Sequence, residues 1–129
     1  MVAEFGEPGV QNPVVIDLIT LDKAADTVVL VMTEHRPWGT VPEQLTQQLT
    51  QQLKQQLKQI EEKVNRYMGY VLDGFLAEQY PQYLGKSVRI RLDCAEQPRG
   101  EAARFVDAMT DAIESHGIHF AMAVLPPPT

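Results

Sequence analysis

Four near-identical tetrads of glutamine, leucine and threonine or lysine constrain this 129-residue chain more than any other feature. They occupy residues 44–59, and apolar residues continue at intervals of three and four as far as Val71. Because Gln, Leu and Lys are good helix formers and this spacing puts the apolar residues on one side of a helix, the pattern predicts one long helix. Gly69 and Gly74 are the points at which this helix would bend or end early.

The ends of the predicted helix have their own signals. Thr40 and Glu43 fit a capping box, and Tyr80 precedes a proline, which disfavours helical geometry. The predicted helix therefore covers about 41–79 and would be roughly 55–60 Å long at 1.5 Å per residue. Because a domain of this size has a radius of gyration of only about 14 Å, we expect the repeat half, residues 44–59, to project from the domain.

The repeat also offers a candidate interaction surface, formed by Leu45, Leu49, Leu53 and Leu57. Leucines spaced by four drift by about 40° per turn, so they do not form the seam of a long left-handed coiled coil. They suit a short antiparallel or right-handed contact, and the surrounding glutamines carry no charge that would fix a partner. Three interpretations stay open: a passive extension of a solvated helix, self-association through the helix, and docking of another protein.

The rest of the chain has strand-like patterns and one further helix. The predicted elements are, in order, strands over 14–21 and 27–33, the long helix, a strand over 88–94, a helix from about 98 to 116, and a strand over 118–125. A strand-helix-strand unit crosses over right-handed, so the last two strands should be parallel. The sequence predicts an α+β fold, a two-layer sandwich with a four-stranded mixed sheet and both helices on one face.

The length and net charge of the chain limit its domain organisation and the classes of partner that it can bind. We expect a flexible N-terminal segment at 1–12, a single α+β domain over 13–125 and a tail at 126–129. The net charge of −6 argues against nucleic acid and membrane partners, which require a basic face. Cys94 is the single cysteine and the start of the chain lacks the pattern of a secretory signal, so a cytoplasmic location is expected.

A candidate site follows from the predicted sheet. Glu34, His35, Arg36 and Trp38 come after the second strand, and Asp93 lies near the end of the third. If these strands are parallel, their ends meet at the edge that ligands favour in open sheets. The set suits a small anionic or planar ligand or a partner protein, and His35 with Asp93 suits proton transfer. The alternative is structural, with Arg36 paired to a nearby acid and Trp38 covering the core.

Other catalytic, metal and cofactor sites find no support in the sequence. Cys94 falls on the apolar side of its strand and is expected to be a buried, inert thiol. The histidines are isolated, no spacing matches a metal site, and there is no glycine-rich phosphate loop, so we expect neither a metal nor a cofactor. Arg89 and Arg91 lie on the open face of the sheet, where they either bind an anion or a second subunit or form local ion pairs.

Four segments resemble a family of small bacterial domains of unknown function. They contain the motifs NP-x-VID, EHRPW, LDG and RLDC, in residues 12–17, 29–38, 70–74 and 88–94. The resemblance spans roughly residues 12–125. It implies a bacterial cytoplasmic setting and no particular reaction, and the glutamine and leucine tetrads depart from it by lengthening a helix that is shorter elsewhere.

These observations favour a non-catalytic interaction protein over an enzyme. We expect it to self-associate, as a homodimer, or to dock a partner protein through the long helix or the open sheet face, as a regulator, adaptor or toxin-neutralising protein would. The alternative is a small-molecule binder or small enzyme that uses the loop at residues 34–38 and the strand end at Asp93.

Overall fold

The computed structural model describes residues 17–36, 38 and 47–125. Within them the fold is α+β, with a four-stranded mixed sheet and three helices. The elements are β1 (Leu18–Asp22), β2 (Thr27–Glu34), α1 (Gln47–Leu72), α2 (Phe75–Gln79), a 3-10 turn (Pro81–Tyr83), β3 (Ser87–Cys94), α3 (Gly100–Glu114) and β4 (His119–Val124). The predicted segment 1–12, the tail 126–129 and the first residues of the predicted first strand lie outside this part of the chain. No described helix is long and apolar enough to cross a membrane.

The sheet has the order β1-β2-β3-β4. β1 and β2 form an antiparallel hairpin, and its turn contains Asp26 with a positive φ of 52°, a conformation that aspartate tolerates better than most residues. β2 pairs with β3 in parallel, and β3 pairs with β4 in parallel. The prediction of a mixed sheet whose last two strands are parallel is therefore confirmed.

One face of the sheet and the apolar sides of α1 and α3 form a single core. β2 is paired with a strand at each of its two edges, and all its apolar residues are buried. The core contains Val28, Leu30, Met32, Ile90, Leu92 and Cys94 from the sheet, with Ile60, Val64, Tyr67, Ala102, Met109 and Ile113 from the helices.

The long helix differs from its predicted bounds at its C-terminal end. α1 spans 26 residues, Gln47–Leu72, which corresponds to about 39 Å. The predicted start near residue 41 lies outside the described residues. At the other end the helix stops at Leu72 instead of residue 79, because Gly74 takes a left-handed φ of 88° and the separate helix α2 follows. Glycine adopts this conformation without the steric cost of a Cβ atom.

The second half of the repeat packs onto the domain and does not project from it. Leu53 and Leu57 are 5% and 8% exposed and belong to the core, and Gln56 between them is also buried. Burial of a leucine side chain stabilises a fold by roughly 1.5–3 kcal/mol, which a projecting helix would forgo. Leu45 and the side chain of Leu49 lie outside the described residues.

Candidate functional site

At the end of β2 and in the loop after it, Glu34 and Arg36 form an ion pair. Glu34 is fully buried, and Arg36 donates from Nε to Oε1 at 2.9 Å and from Nη2 to Oε2 at 2.7 Å. The backbone N–H of Arg36 also donates to Oε1. The hydrogen bonds from the Glu34 carboxylate raise the pKa of Arg36 above its ordinary value. Both carboxylate oxygens of Glu34 are therefore engaged within the loop, which matches the structural alternative for Arg36.

Trp38 and His35 occupy contrasting environments. Trp38 is 2% exposed and belongs to the core, and its indole Nε1 donates to the carbonyl of Glu96 at 2.8 Å. This bond ties the loop after β2 to the loop after β3. His35 is exposed. The indole is thus engaged in the fold, and His35 is the exposed member of the predicted set.

Asp93 lies apart from the other predicted site residues. In the register Glu34 pairs with Cys94, and Asp93 pairs with Thr33. Because successive side chains point to opposite faces of a sheet, Asp93 faces away from the core while Glu34 faces the core. The guanidinium of Arg91 donates to both oxygens of Asp93, at 2.8 and 3.2 Å. The structure brings together Glu34 and Arg36 but separates them from Asp93.

Local ion pairs lie on the sheet face opposite the core and at the turn between β1 and β2. Arg89 contacts Asp22 at 3.3 Å, and Lys86 contacts Asp26 at 2.6 Å. With the pair formed by Arg91 and Asp93, each of these cations has a carboxylate partner on the same protein. Exposed pairs of this kind contribute roughly 0–1 kcal/mol each. The arrangement favours local ion pairs as the role of Arg89 and Arg91, in preference to binding of an anion or a second subunit.

Cys94 is the buried thiol that the strand pattern predicts. It is 0% exposed, and burial, with the nearby Glu34 and Asp93 charges, raises its pKa to about 12. A thiol is a weak nucleophile because only the thiolate attacks. Among the described residues there is also no group of His, Cys, Asp and Glu side chains that could hold a metal ion.

Sequence reasoning missed a buried polar cluster formed by Asp17, Lys63 and Tyr67. Lys63 and Asp17 have side chains that are 0% and 4% exposed, and Lys63 Nζ donates to Asp17 Oδ1 at 2.5 Å. The Tyr67 hydroxyl accepts from the backbone N–H of Asp17 and donates to the carbonyl of Val31, both at 2.9 Å. Asp17 Oδ2 accepts from the backbone N–H of Thr33. These contacts join α1 to the start of β1 and to the C-terminal part of β2.

Burial is the largest influence on the pKa values of Lys63 and Tyr67 in this cluster. It lowers the pKa of Lys63, although the Asp17 carboxylate acts in the opposite direction, and it raises the pKa of Tyr67 above the usual range. One sequence signal was available. Lys63 lies three residues after Ile60 and four before Tyr67, so it is on the apolar side of the predicted helix, where a lysine requires a partner.

An open groove of about 1100 Å³ lies between the outer edge of β1, α1 and α2, and we call it the β1 groove. Two of its apolar lining residues, Leu18 and Phe75, are 53% and 50% exposed. Tyr70 lines it too, and its hydroxyl donates to Gln79 Oε1 at 2.5 Å. The lining consists of Asp17, Leu18, Ile19, Glu62, Asn65, Arg66, Gly69, Tyr70, Asp73, Phe75, Gln79 and Tyr80.

The other edge of the described sheet is β4. Its sequence from His119 to Val124 contains no Lys, Arg, Asp, Glu or Pro. Phe120 and Met122 pack against the core but remain partly exposed, and Val124 and Leu125 are each 43% exposed. Edge strands of soluble proteins are usually protected by charges, prolines or a covering element, so this edge is a candidate interaction surface.

No curated protein and no solved structure matches the chain. A family model does match, and it covers residues 9–126, which include every described element and the loop after β2. The chain therefore belongs to DUF6572, a family of unknown function.

Proposed function

We propose that this protein is a non-catalytic interaction module that forms a homodimer through the outer edge of β4. The single observation that carries the proposal is the direction of the backbone groups in β4. Leu125 donates its N–H to the carbonyl of Cys94 in β3 at 2.8 Å. Because alternate residues of a strand present their backbone groups to opposite sides, Phe120, Met122 and Val124 present theirs away from the sheet.

A second copy fits this edge by symmetry. In an antiparallel pair around a two-fold axis normal to the sheet, Met122 of one copy lies opposite Met122 of the other. Phe120 then lies opposite Val124 of the second copy, and each such pair exchanges two backbone hydrogen bonds. Both members of every pair face the same side of the combined sheet, because their residue numbers have the same parity.

The side chains support the same arrangement. Phe120, Met122 and Val124 are on the core side of β4, where they pair with Ile90, Leu92 and Cys94 of β3. In the dimer these partly exposed apolar side chains would pack against their copies, and no charged residue of β4 would be buried. This self-complementarity favours a second copy of the chain over a foreign strand.

We therefore propose a sheet edge, and not the long helix, as the interaction surface. Leu53 and Leu57 are buried in the core, and on the sheet face opposite the core Arg89 and Arg91 are paired with carboxylates. The rest of the sequence-based hypothesis is kept as part of the proposal: a two-layer arrangement of sheet and helices, a bacterial cytoplasmic setting, and a role as a regulator, adaptor or toxin-neutralising protein. The single thiol, Cys94, is consistent with a reducing compartment.

The test is the solution mass, measured by light scattering, for the full chain and two variants of β4. Met122→Lys places a charge on the two-fold axis, and Val124→Pro removes an outward N–H without removing a hydrogen bond to β3. Both variants should be monomers when the full chain is a dimer. Leu84→Lys is the matched control, since Leu84 is 74% exposed in a loop far from β4 in sequence, and it should stay dimeric.

Circular dichroism separates loss of association from loss of folding. A monomeric full chain would overturn the proposal, as would folded Val124→Pro and Met122→Lys variants that both remain dimers. A complex of the full chain with a foreign protein, in place of the homodimer, would assign the β4 edge to that partner and would also contradict the proposal.

A further inference from the structure

The β1 groove has the properties of a peptide-binding site at the opposite edge of the sheet from β4. We propose that it binds an extended peptide segment of a partner protein, with basic and apolar side chains in alternation, which adds a strand to the outer edge of β1. This inference goes beyond the proposed homodimer and does not depend on it. Three observations support it: the backbone groups of β1, the charges of the groove and its exposed apolar residues.

The backbone of β1 offers free pairing groups in the described sheet. Thr33 of β2 directs its N–H toward Asp17, and therefore the alternate residues Val31 and Val29 also direct their backbone groups toward β1. Their partners in the register are Leu18 and Thr20, which face β2. The residue between them, Ile19, consequently presents its N–H and C=O outward, into the groove that it lines.

The charges of the groove favour a basic segment. Glu62 and Asp73 are exposed acidic residues of its lining, and Arg66 is the basic residue of that lining. The carboxylate of Asp17 already contacts Lys63. The protein as a whole carries a net charge of −6, which adds long-range attraction for a basic partner.

The shape and apolar content favour a strand over a small molecule. The groove is open and runs from Leu18 on β1 to Phe75 on α2, both about half exposed. A strand added to β1 would send alternate side chains to two sides. One set would face Glu62 on α1 and Asp73 just after its end, where Tyr70 can cover the aliphatic part of a lysine. The other set would lie beside Leu18.

The experiment uses the full chain and a short capped peptide of alternating valine and lysine. A peptide with glutamate in place of lysine is the matched control. Binding is followed by backbone amide chemical shifts up to about 1 mM peptide. We expect the shifts to be largest at Ile19 and Leu21, and the glutamate peptide to bind at least about tenfold more weakly because of like-charge repulsion.

A variant of the groove tests its position. Gly69 lines the groove in a helix, and a Cβ atom added there would meet its nearest neighbour, Asp73 Oδ2, at 3.8 Å, an ordinary contact. Gly69→Leu should therefore fold, place a leucine side chain in the groove and weaken binding of the lysine peptide by about tenfold or more, since that side chain takes part of the space of the added strand. Gly69→Ala adds a methyl group only and should retain binding.

The outcomes are distinguishable from those for the homodimer. The monomeric Val124→Pro variant should bind the lysine peptide as the full chain does. The inference is overturned if no binding occurs up to about 1 mM, if both peptides bind equally, if Gly69→Leu binds unchanged, or if the shifts lie at Met122 and its neighbours in β4. The first three of these results do not bear on whether the full chain is a dimer.

Discussion

Lys63 and Asp17, 46 positions apart in the chain, form an ion pair in which the side chains are 0% and 4% exposed. The pair joins the middle of α1 to the residue before β1. Removing charges from water is costly, and the attraction between them offsets that cost only when the geometry is good. Here the Nζ–Oδ1 distance is 2.5 Å, and Asp17 has a second hydrogen bond, from the backbone of Thr33.

Lys63→Ala should therefore be strongly destabilising, because it removes the cation and keeps the buried carboxylate. We expect a loss of about 3–5 kcal/mol in the free energy of unfolding, measured by urea denaturation. Lys58→Ala, on the exposed side of the same helix, is the control and should change it by less than about 0.5 kcal/mol. Equal effects for the two variants would show that the pair does not fasten α1 to the sheet.

The stability should fall in alkaline solution because of Cys94. Its pKa is raised by burial from 9.0 to about 12, so between these values the unfolded chain releases the thiol proton and the folded chain keeps it. This contribution to stability is complete below pH 9 and is lost as the pH rises toward 12. The expected slope from this group is about −1.4 kcal/mol per pH unit within that window.

Cys94→Ala should make the fall of the free energy of unfolding with pH less steep, because the variant has no thiol proton to release. This holds whatever the substitution does to stability at neutral pH. The raised pKa of Tyr67 acts in the same direction above pH 10, so part of the alkaline loss should remain in the variant. The measurement is urea unfolding at several pH values between 8 and 11. An unchanged slope in Cys94→Ala would contradict the burial argument.

The helices and strands were predictable where the local pattern of apolar and polar residues determines them. β3 has a clean alternation of apolar and polar residues, and β2 is apolar along most of its length, so both follow from the sequence. The end of α1 did not follow as directly. Gly69 and Gly74 were equal candidates for a break, and only the tertiary structure places Gly74 in the left-handed conformation while Gly69 stays helical.

The candidate site was less predictable, because it depends on contacts between distant segments. Glu34, His35 and Arg36 were identified as chemically rich, but the register that puts Asp93 on the opposite face depends on how β2 and β3 align. The partnership of Lys63 with Asp17 requires knowledge of which strand end α1 crosses. The spacing of Lys63 indicated a buried lysine but not its partner.

Glu34 and Arg36 give a test of the loop after β2. Arg36→Ala leaves the fully buried carboxylate of Glu34 without its guanidinium and should lower the free energy of unfolding by about 1–3 kcal/mol. Arg36→Lys should recover only part of this loss, because lysine cannot make the two-pronged contact with the carboxylate. His35→Ala, at the exposed neighbour, is the control. Urea denaturation measures all three, and full recovery by Arg36→Lys would rule out the bidentate geometry as the source of stability.

The two glycines near the end of α1 should respond in opposite directions to the same substitution. Gly69 is within the helix and has space for a methyl group, so Gly69→Ala should stabilise the protein by up to about 1 kcal/mol through the higher helix propensity of alanine. Gly74 has a φ of 88°, so Gly74→Ala should destabilise it by about 1–2 kcal/mol, although nothing lies within 4 Å of the added Cβ. Thermal and urea unfolding of the two variants measure the difference. If both stabilised the protein, α1 would continue through residue 74, as the pattern of apolar residues alone predicts.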